Sequence, residues 1–263
     1  MGESRSIRTR TCLLLKEQLD GWSRPGHYLP VNSPPDIYAG RHPEDVPAYA
    51  FSEAAALTGV PISTLRSWVV GRPFPVRGGR RWSQPIIRLP KGEGGFLSFT
   101  NLVEVHVLAA MRRKHALSLD AIRKAVRYVH DALEVEHPLA SGQFKTNGVD
   151  LFVERLGKII NVSREGQLGM KAVLNDSLAR VEYDKRGRAV RLFPMFRREG
   201  APKSIVIDPR RAFGRPVIVG TAVPAADVRS RFDAGDSVEE LARDFDVEPQ
   251  LIEDALRATP QAA

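Results

Sequence analysis

The sequence predicts a mainly α fold with small β hairpins, an α+β chain of helical modules. Three observations carry this. Helix start and stop signals recur along the chain, first near 52–59 and last near 249–257. Short β-branched and aromatic runs lie between glycine-rich turns. The composition, 43% hydrophobic and 27% charged over 263 residues, is that of a folded globular protein. This length suits about two domains of roughly 100–200 residues.

Residues 1–49 read as an N-terminal tail. Pro25, Pro30, Pro34, Pro35, Pro43 and Pro47 interrupt it. Only 11–19 has a helical pattern, and the rest is expected to be poorly ordered. Ser52 then caps a helix over 53–57, ended by Gly59, and a second runs from 61 to 70 before Gly71-Arg72-Pro73. Two short helices joined by Thr-Gly-Val-Pro read as a helix-turn-helix. Its small core would be Ala55, Val60, Leu65 and Trp68. A basic hairpin follows, with its strands at 85–89 and 96–99. Asn101 and Glu104 have the spacing of a capping box for a helix to about His115. Ser118 caps the next, to about Glu134, whose seam Leu119, Ile122, Val126, Val129 and Leu133 serves a core or a dimer.

The segment 136–203 reads as β-rich and connecting. Strands are expected at Phe144, 150–153, 159–162, 181–183 and 190–193, around one helix at 170–178. Asp184-Lys185-Arg186-Gly187 is a hairpin turn. The end, 204–263, has strands at 204–207 and 214–219 and then three helices, with Ser237 and Glu240 as a capping box.

The chain carries 39 basic and 31 acidic residues, net +8. The excess is uneven: net 0 over 1–50, +7 over 51–135, +4 over 136–200 and −3 over 201–263. Between Glu53 and Glu93 there is no acidic residue, but there are Arg66, Arg72, Arg77, Arg80, Arg81, Arg88 and Lys91. Such a stretch repels itself unless an anion compensates it. Arginines beside short polar side chains at a helix start suit DNA: arginine neutralises phosphate, and the start of the helix reaches base edges. The candidate DNA-binding residues are Ser63, Thr64, Arg66, Ser67, Arg72, Arg77, Arg80 and Arg81, with Trp82 as a packing residue.

Other classes fit poorly. No apolar run approaches the roughly 18–20 residues that span a bilayer, and the N-terminus has no signal-peptide pattern. The lone Cys12 excludes a disulfide framework, so a cytoplasmic location is expected. No phosphate loop, dinucleotide turn or nucleophile elbow is present. His106, His115 and His130 lack partners at metal-binding spacing. No enzymatic activity, catalytic residue, metal or cofactor is expected.

Two resemblances sharpen the reading. Phe51-Ser52-Glu53-Ala54-Ala55-Ala56-Leu57-Thr58-Gly59-Val60, Ser63-Thr64-Leu65-Arg66-Ser67-Trp68 and Gly78-Gly79-Arg80-Arg81-Trp82-Ser83 resemble MerR-type regulators. So do Leu97-Ser98-Phe99-Thr100-Asn101-Leu102 and His115-Ala116-Leu117-Ser118-Leu119-Asp120-Ala121-Ile122. The stretch Gln84 to Gly95 departs from that pattern. The resemblance implies a winged helix-turn-helix over 50–135 that places its second helix in the DNA major groove. Ser204 to Pro209, Gly214 to Pro224, Ala234 to Ala242 and Ile252 to Leu256 resemble the domain of unknown function 433. That implies a homeodomain-like three-helix module. Its last helix carries Glu253 and Asp254 against Arg257, with Glu248 before it. This acidic face favours dimerisation or partner binding over DNA.

Together the modules resemble a VapB-type antitoxin of the longer, two-domain kind. The resemblance implies a homodimer on double-stranded operator DNA and a PIN-like ribonuclease toxin as partner. Arg186, Arg188, Arg191, Arg197 and Arg198 are then candidates to enter the toxin's carboxylate-lined cleft. The alternative is a MerR-like transcriptional regulator that senses a small molecule through 138–200, without a toxin.

Overall fold

The structure is a computed structural model that describes residues 38, 40–90, 95–114, 117–194 and 202–259. The chain divides into two compact units, Met1–Gly40 and Arg41–Ala263. The first contains only Tyr38 and Gly40 among the described residues, so the helix expected at 11–19 lies outside them. All elements below belong to the second unit.

Helix α1 (Phe51–Thr58) and helix α2 (Ile62–Val69) are separated by the turn Gly59-Val60-Pro61. Gly59 ends α1 at φ 67°. Ser52 is not the cap; that place is Ala50, in extended backbone. Main-chain bonds between Tyr49 and Leu97, at 2.8 and 2.9 Å, fix the entry of the chain and start the helix earlier. Leu65, Trp68 and Val69 form the inner face of α2.

The hairpin is displaced from its expected place. Strands β1 (Pro73–Val76) and β2 (Gly79–Trp82) pair antiparallel around Arg77-Gly78. The runs at 85–89 and 96–99 do not pair with each other. Ile86 and Ile87 donate main-chain bonds to the Trp68 carbonyl, and Leu97 bridges to Tyr49. Ile87 and Leu97 are wholly buried, so these apolar residues plug the core.

Helix α3 (Phe99–Lys114) is apolar around most of its girth, with Leu102, Val103, Val105, Val107 and Leu108 all buried, as suits a central helix. Its reciprocal cap is one turn earlier than expected. Ser98 N donates to Asn101 Oδ1, and Asn101 N donates to Ser98 Oγ, each at 3.2 Å. Asn101 Nδ2 also donates to Glu104 Oε2. Helix α4 (Leu119–Leu133) starts at Ser118, whose hydroxyl accepts from Ala121 N. Its seam is a core contact, packed on the next helix.

The β-rich reading of 136–203 is overturned. Helix α5 (Val149–Ile160) follows a π turn at Phe144–Gly148, and helix α6 (Arg164–Leu178) is capped by Ser163. The runs 150–153 and 159–162 carry the aromatic Phe152 and the β-branched Val153, Ile159, Ile160 and Val162. Yet Val149, Phe152, Val153 and Leu156 lie on one helical face, and burying that face overrides strand propensity. Among the described residues of this segment only strands β3 (Val181–Tyr183) and β4 (Ala189–Leu192) remain, joined by the expected turn. Asp184 Oδ1 accepts from the main-chain N–H groups of Arg186 and Arg188 at 2.8 and 2.9 Å, which holds that turn.

One apolar cluster runs from Tyr49 to Ile207, so residues 50–135 and 136–203 share a core. A second belongs to the C-terminal module: strands β5 (Ile205–Val206) and β6 (Val217–Ile218), then helices α7 (Ala225–Asp233), α8 (Val238–Phe245) and α9 (Pro249–Ala258). The Ser237–Glu240 capping box is formed. Leu192 and Ile207 exchange main-chain bonds at 3.0 and 2.8 Å, and Tyr49 Oη donates to the Gly214 carbonyl at 2.9 Å. These bonds tie the module to the main core. No helix among the described residues is long and apolar enough to cross a membrane.

Candidate nucleic-acid interface and partner surfaces

The residues expected to contact DNA lie on α2 and on the β1–β2 ribbon. Ser63 and Arg66 are exposed on α2. Thr64 and Ser67 are half-buried, and Ser67 Oγ donates to the Thr64 carbonyl at 2.7 Å, which commits its proton locally. The Arg66 guanidinium lies 5.5 Å from the centre of the Phe51 ring, a cation–π contact that orients it.

All eight residues of the ribbon are exposed. Its register sets Arg81 opposite Phe74 and Arg80 opposite Pro75. Side chains alternate along a strand, so Arg80 and Arg81 leave by opposite faces while Arg77 occupies the tip. Arg72 stands at the base. Among the described residues, none of these arginines is paired with a carboxylate. The ribbon is anchored by Ser83: its N–H and hydroxyl both donate to the Arg72 carbonyl, at 2.8 and 3.0 Å, and Arg72 N donates to Ser83 Oγ. Trp82, expected to pack, is 57% exposed and holds on through Nε1, which donates to the Val70 carbonyl at 3.2 Å. An unpaired cationic arm on a rigid base is suited to phosphate.

The second arginine set is dispersed in role. Arg191 is a strut: Nε donates to Asp208 at 3.1 Å and Nη1 to Glu182 at 3.2 Å. Arg186 and Arg188 line a cavity of about 330 Å³ with Glu44, Asp45, Glu136 and His137. Arg188 Nη1 is buried there without a hydrogen-bond partner. Glu44 is buried, and its Oε1 lies 2.6 Å from Arg210 Nη2. His137 Nδ1 is 3.1 Å from Glu104 Oε2. Burial opposes the charged imidazole, but the Glu104 hydrogen bond and the nearby Glu136 and Asp45 charges outweigh it, so its pKa is raised. Arg197 and Arg198 lie outside the described residues.

Two features escaped sequence reasoning. Arg180 is buried and donates to the carbonyls of Phe193, Pro194 and Pro202. The turn Ala212–Gly214 holds three successive left-handed residues, at φ 46°, 55° and 77°, and Phe213 at its centre is 81% exposed. Left-handed backbone costs about 1–2 kcal/mol for a residue with a Cβ, and neither Ala212 nor Phe213 is glycine. The flanking arginines Arg210, Arg211 and Arg215 were the one available signal.

The model of the family described as "Protein of unknown function (DUF433)" matches residues 205–257, the C-terminal module. A Mycobacterium tuberculosis protein named "Putative antitoxin VapB45" is 31% identical in a 232-residue alignment that covers 81% of this chain and 94% of that protein. This chain belongs to the VapB45 family. A second M. tuberculosis relative, "Uncharacterized protein Rv2308", is 29% identical over 82% of this chain and 91% of its own length. The crystal structure of Rv2018 from M. tuberculosis aligns with a TM-score of 0.60 at 24% identity, covering 81% of this chain and 98% of that one. It shows that the VapB45-family chain shares this fold.

Proposed function

We propose that this protein is the DNA-binding antitoxin of a toxin–antitoxin pair. It binds a ribonuclease toxin of PIN-like fold directly and, as a cytoplasmic homodimer, represses its own operon. It has no catalytic activity of its own. Membership of the VapB45 family over 81% of its length carries the antitoxin half of this reading. The unpaired arginines of α2 and the β1–β2 ribbon support the DNA half: they act as a helix-turn-helix and wing, with phosphate neutralised by Arg72, Arg77, Arg80 and Arg81. Thr64 and Arg66 are the candidates for base contact. Two-fold symmetry of the dimer would match a two-fold operator.

Co-expression with the product of the adjacent open reading frame tests the reading. A stable complex that suppresses a ribonuclease and retards the operon's own promoter fragment is expected. A protein that retards the promoter but captures no neighbour would instead support small-molecule regulation. The polar cavity at Glu44, His137 and Arg188 is the observation behind that second reading.

A further inference from the structure

We infer that the Phe213 turn is the anchor by which this protein seats its partner, in a partner pocket that is apolar inside and rimmed by carboxylates. This rests on the antitoxin reading and adds to it the surface and its chemistry.

Phe213 is more exposed than any other large apolar residue among those described. It is also held rigidly. Arg211 N donates to the Asp208 carbonyl and Gly214 N to the Arg211 carbonyl, both at 2.9 Å, and Arg215 N donates to the Ala212 carbonyl at 3.1 Å. Tyr49 Oη grips the Gly214 carbonyl, and a Cβ on Gly214 would lie 2.3 Å from that hydroxyl. Ala212 packs on the small cluster of Phe193, Val206 and Val217. The strained backbone therefore keeps the ring in solvent, where an isolated chain gains nothing from it. Aromatic anchors that pay no ordering cost are characteristic of binding hot spots.

The neighbouring charges select the occupant. Arg215 is exposed and unpaired, and Arg211 is 4.0 Å from an Asp208 that already holds Arg191. Two copies meeting here across a two-fold axis would set these arginines against each other. DNA would use the arginines but leave the phenyl ring without a cavity to fill. A different protein with an acidic-rimmed pocket satisfies both.

The test uses the full chain and the purified product of the adjacent open reading frame. Phe213→Gly removes the ring and suits the left-handed backbone, so misfolding does not explain its loss of binding. The complex should weaken roughly 30-fold or more, with thermal midpoint and promoter retardation retained. Arg211→Glu with Arg215→Glu should weaken it too, and more at low salt. Unchanged affinity of Phe213→Gly overturns the inference and leaves the antitoxin reading intact. A wild-type protein that binds no neighbour overturns both. A wild-type dimer that Phe213→Gly dissociates assigns the turn to self-association and overturns the inference.

Discussion

Single residues show how the same side-chain chemistry takes different roles in different surroundings. Among the described residues, Arg66, Arg80 and Arg81 have no carboxylate partner, whereas Arg191 is held by Asp208 and Glu182 and Arg180 by three carbonyls. His137 yields a prediction at this scale. Its pKa is raised above the ordinary value of about 6.5, so the folded state binds the proton more tightly than the unfolded chain. That stabilisation is complete below about pH 6.5 and is lost as pH rises through the higher folded value. Urea denaturation across pH 5.5 to 8.5 should show wild type losing more stability with rising pH than His137→Gln. Parallel curves would remove His137 from the account.

At the scale of elements, the ribbon depends on Gly71. Its φ is 86°, and a Cβ there would lie 2.0 Å from the Ser83 carbonyl oxygen and 2.8 Å from Trp82 Nε1. Gly71→Ala therefore forces the two ribbon ends apart. Binding to promoter DNA should weaken and its salt dependence flatten, as with Arg80→Ala and Arg81→Ala together, for which the log–log slope should fall by roughly one unit per lost phosphate contact. A salt titration by fluorescence anisotropy checks both, and an unchanged slope counts against a DNA-binding wing. The exposed arginines were legible because an acid-free run of 39 residues is visible in the sequence. The position of the strands was not, because Ile87 and Leu97 have strand-like neighbours yet spend their side chains on the core.

Across the whole molecule, the C-terminal module has its own apolar cluster but leans on the main one through few bonds. Tyr49 Oη to the Gly214 carbonyl is one of them, bridging 165 positions. Burial pushes the Tyr49 phenol far above its ordinary range, with the Glu53 and Asp208 charges adding to the shift, so it stays a neutral donor. Tyr49→Phe should cost about 1 kcal/mol, with an added penalty if the carbonyl is left unsatisfied. Thermal denaturation reads that loss, and a midpoint equal to wild type would show the bond to be dispensable.

By itself, the sequence determined the helix pairs, the turns at Gly59 and Asp184, the caps at Ser118 and Ser237, and the concentration of positive charge. These depend on contacts within a few residues, which spacing reports directly. The tertiary structure alone decided that 150–153 and 159–160 are helical, that Arg191 is a strut, and that Phe213 is left in solvent. Each of these depends on which distant partner or surface the fold supplies, and local propensity is too weak to overrule that choice.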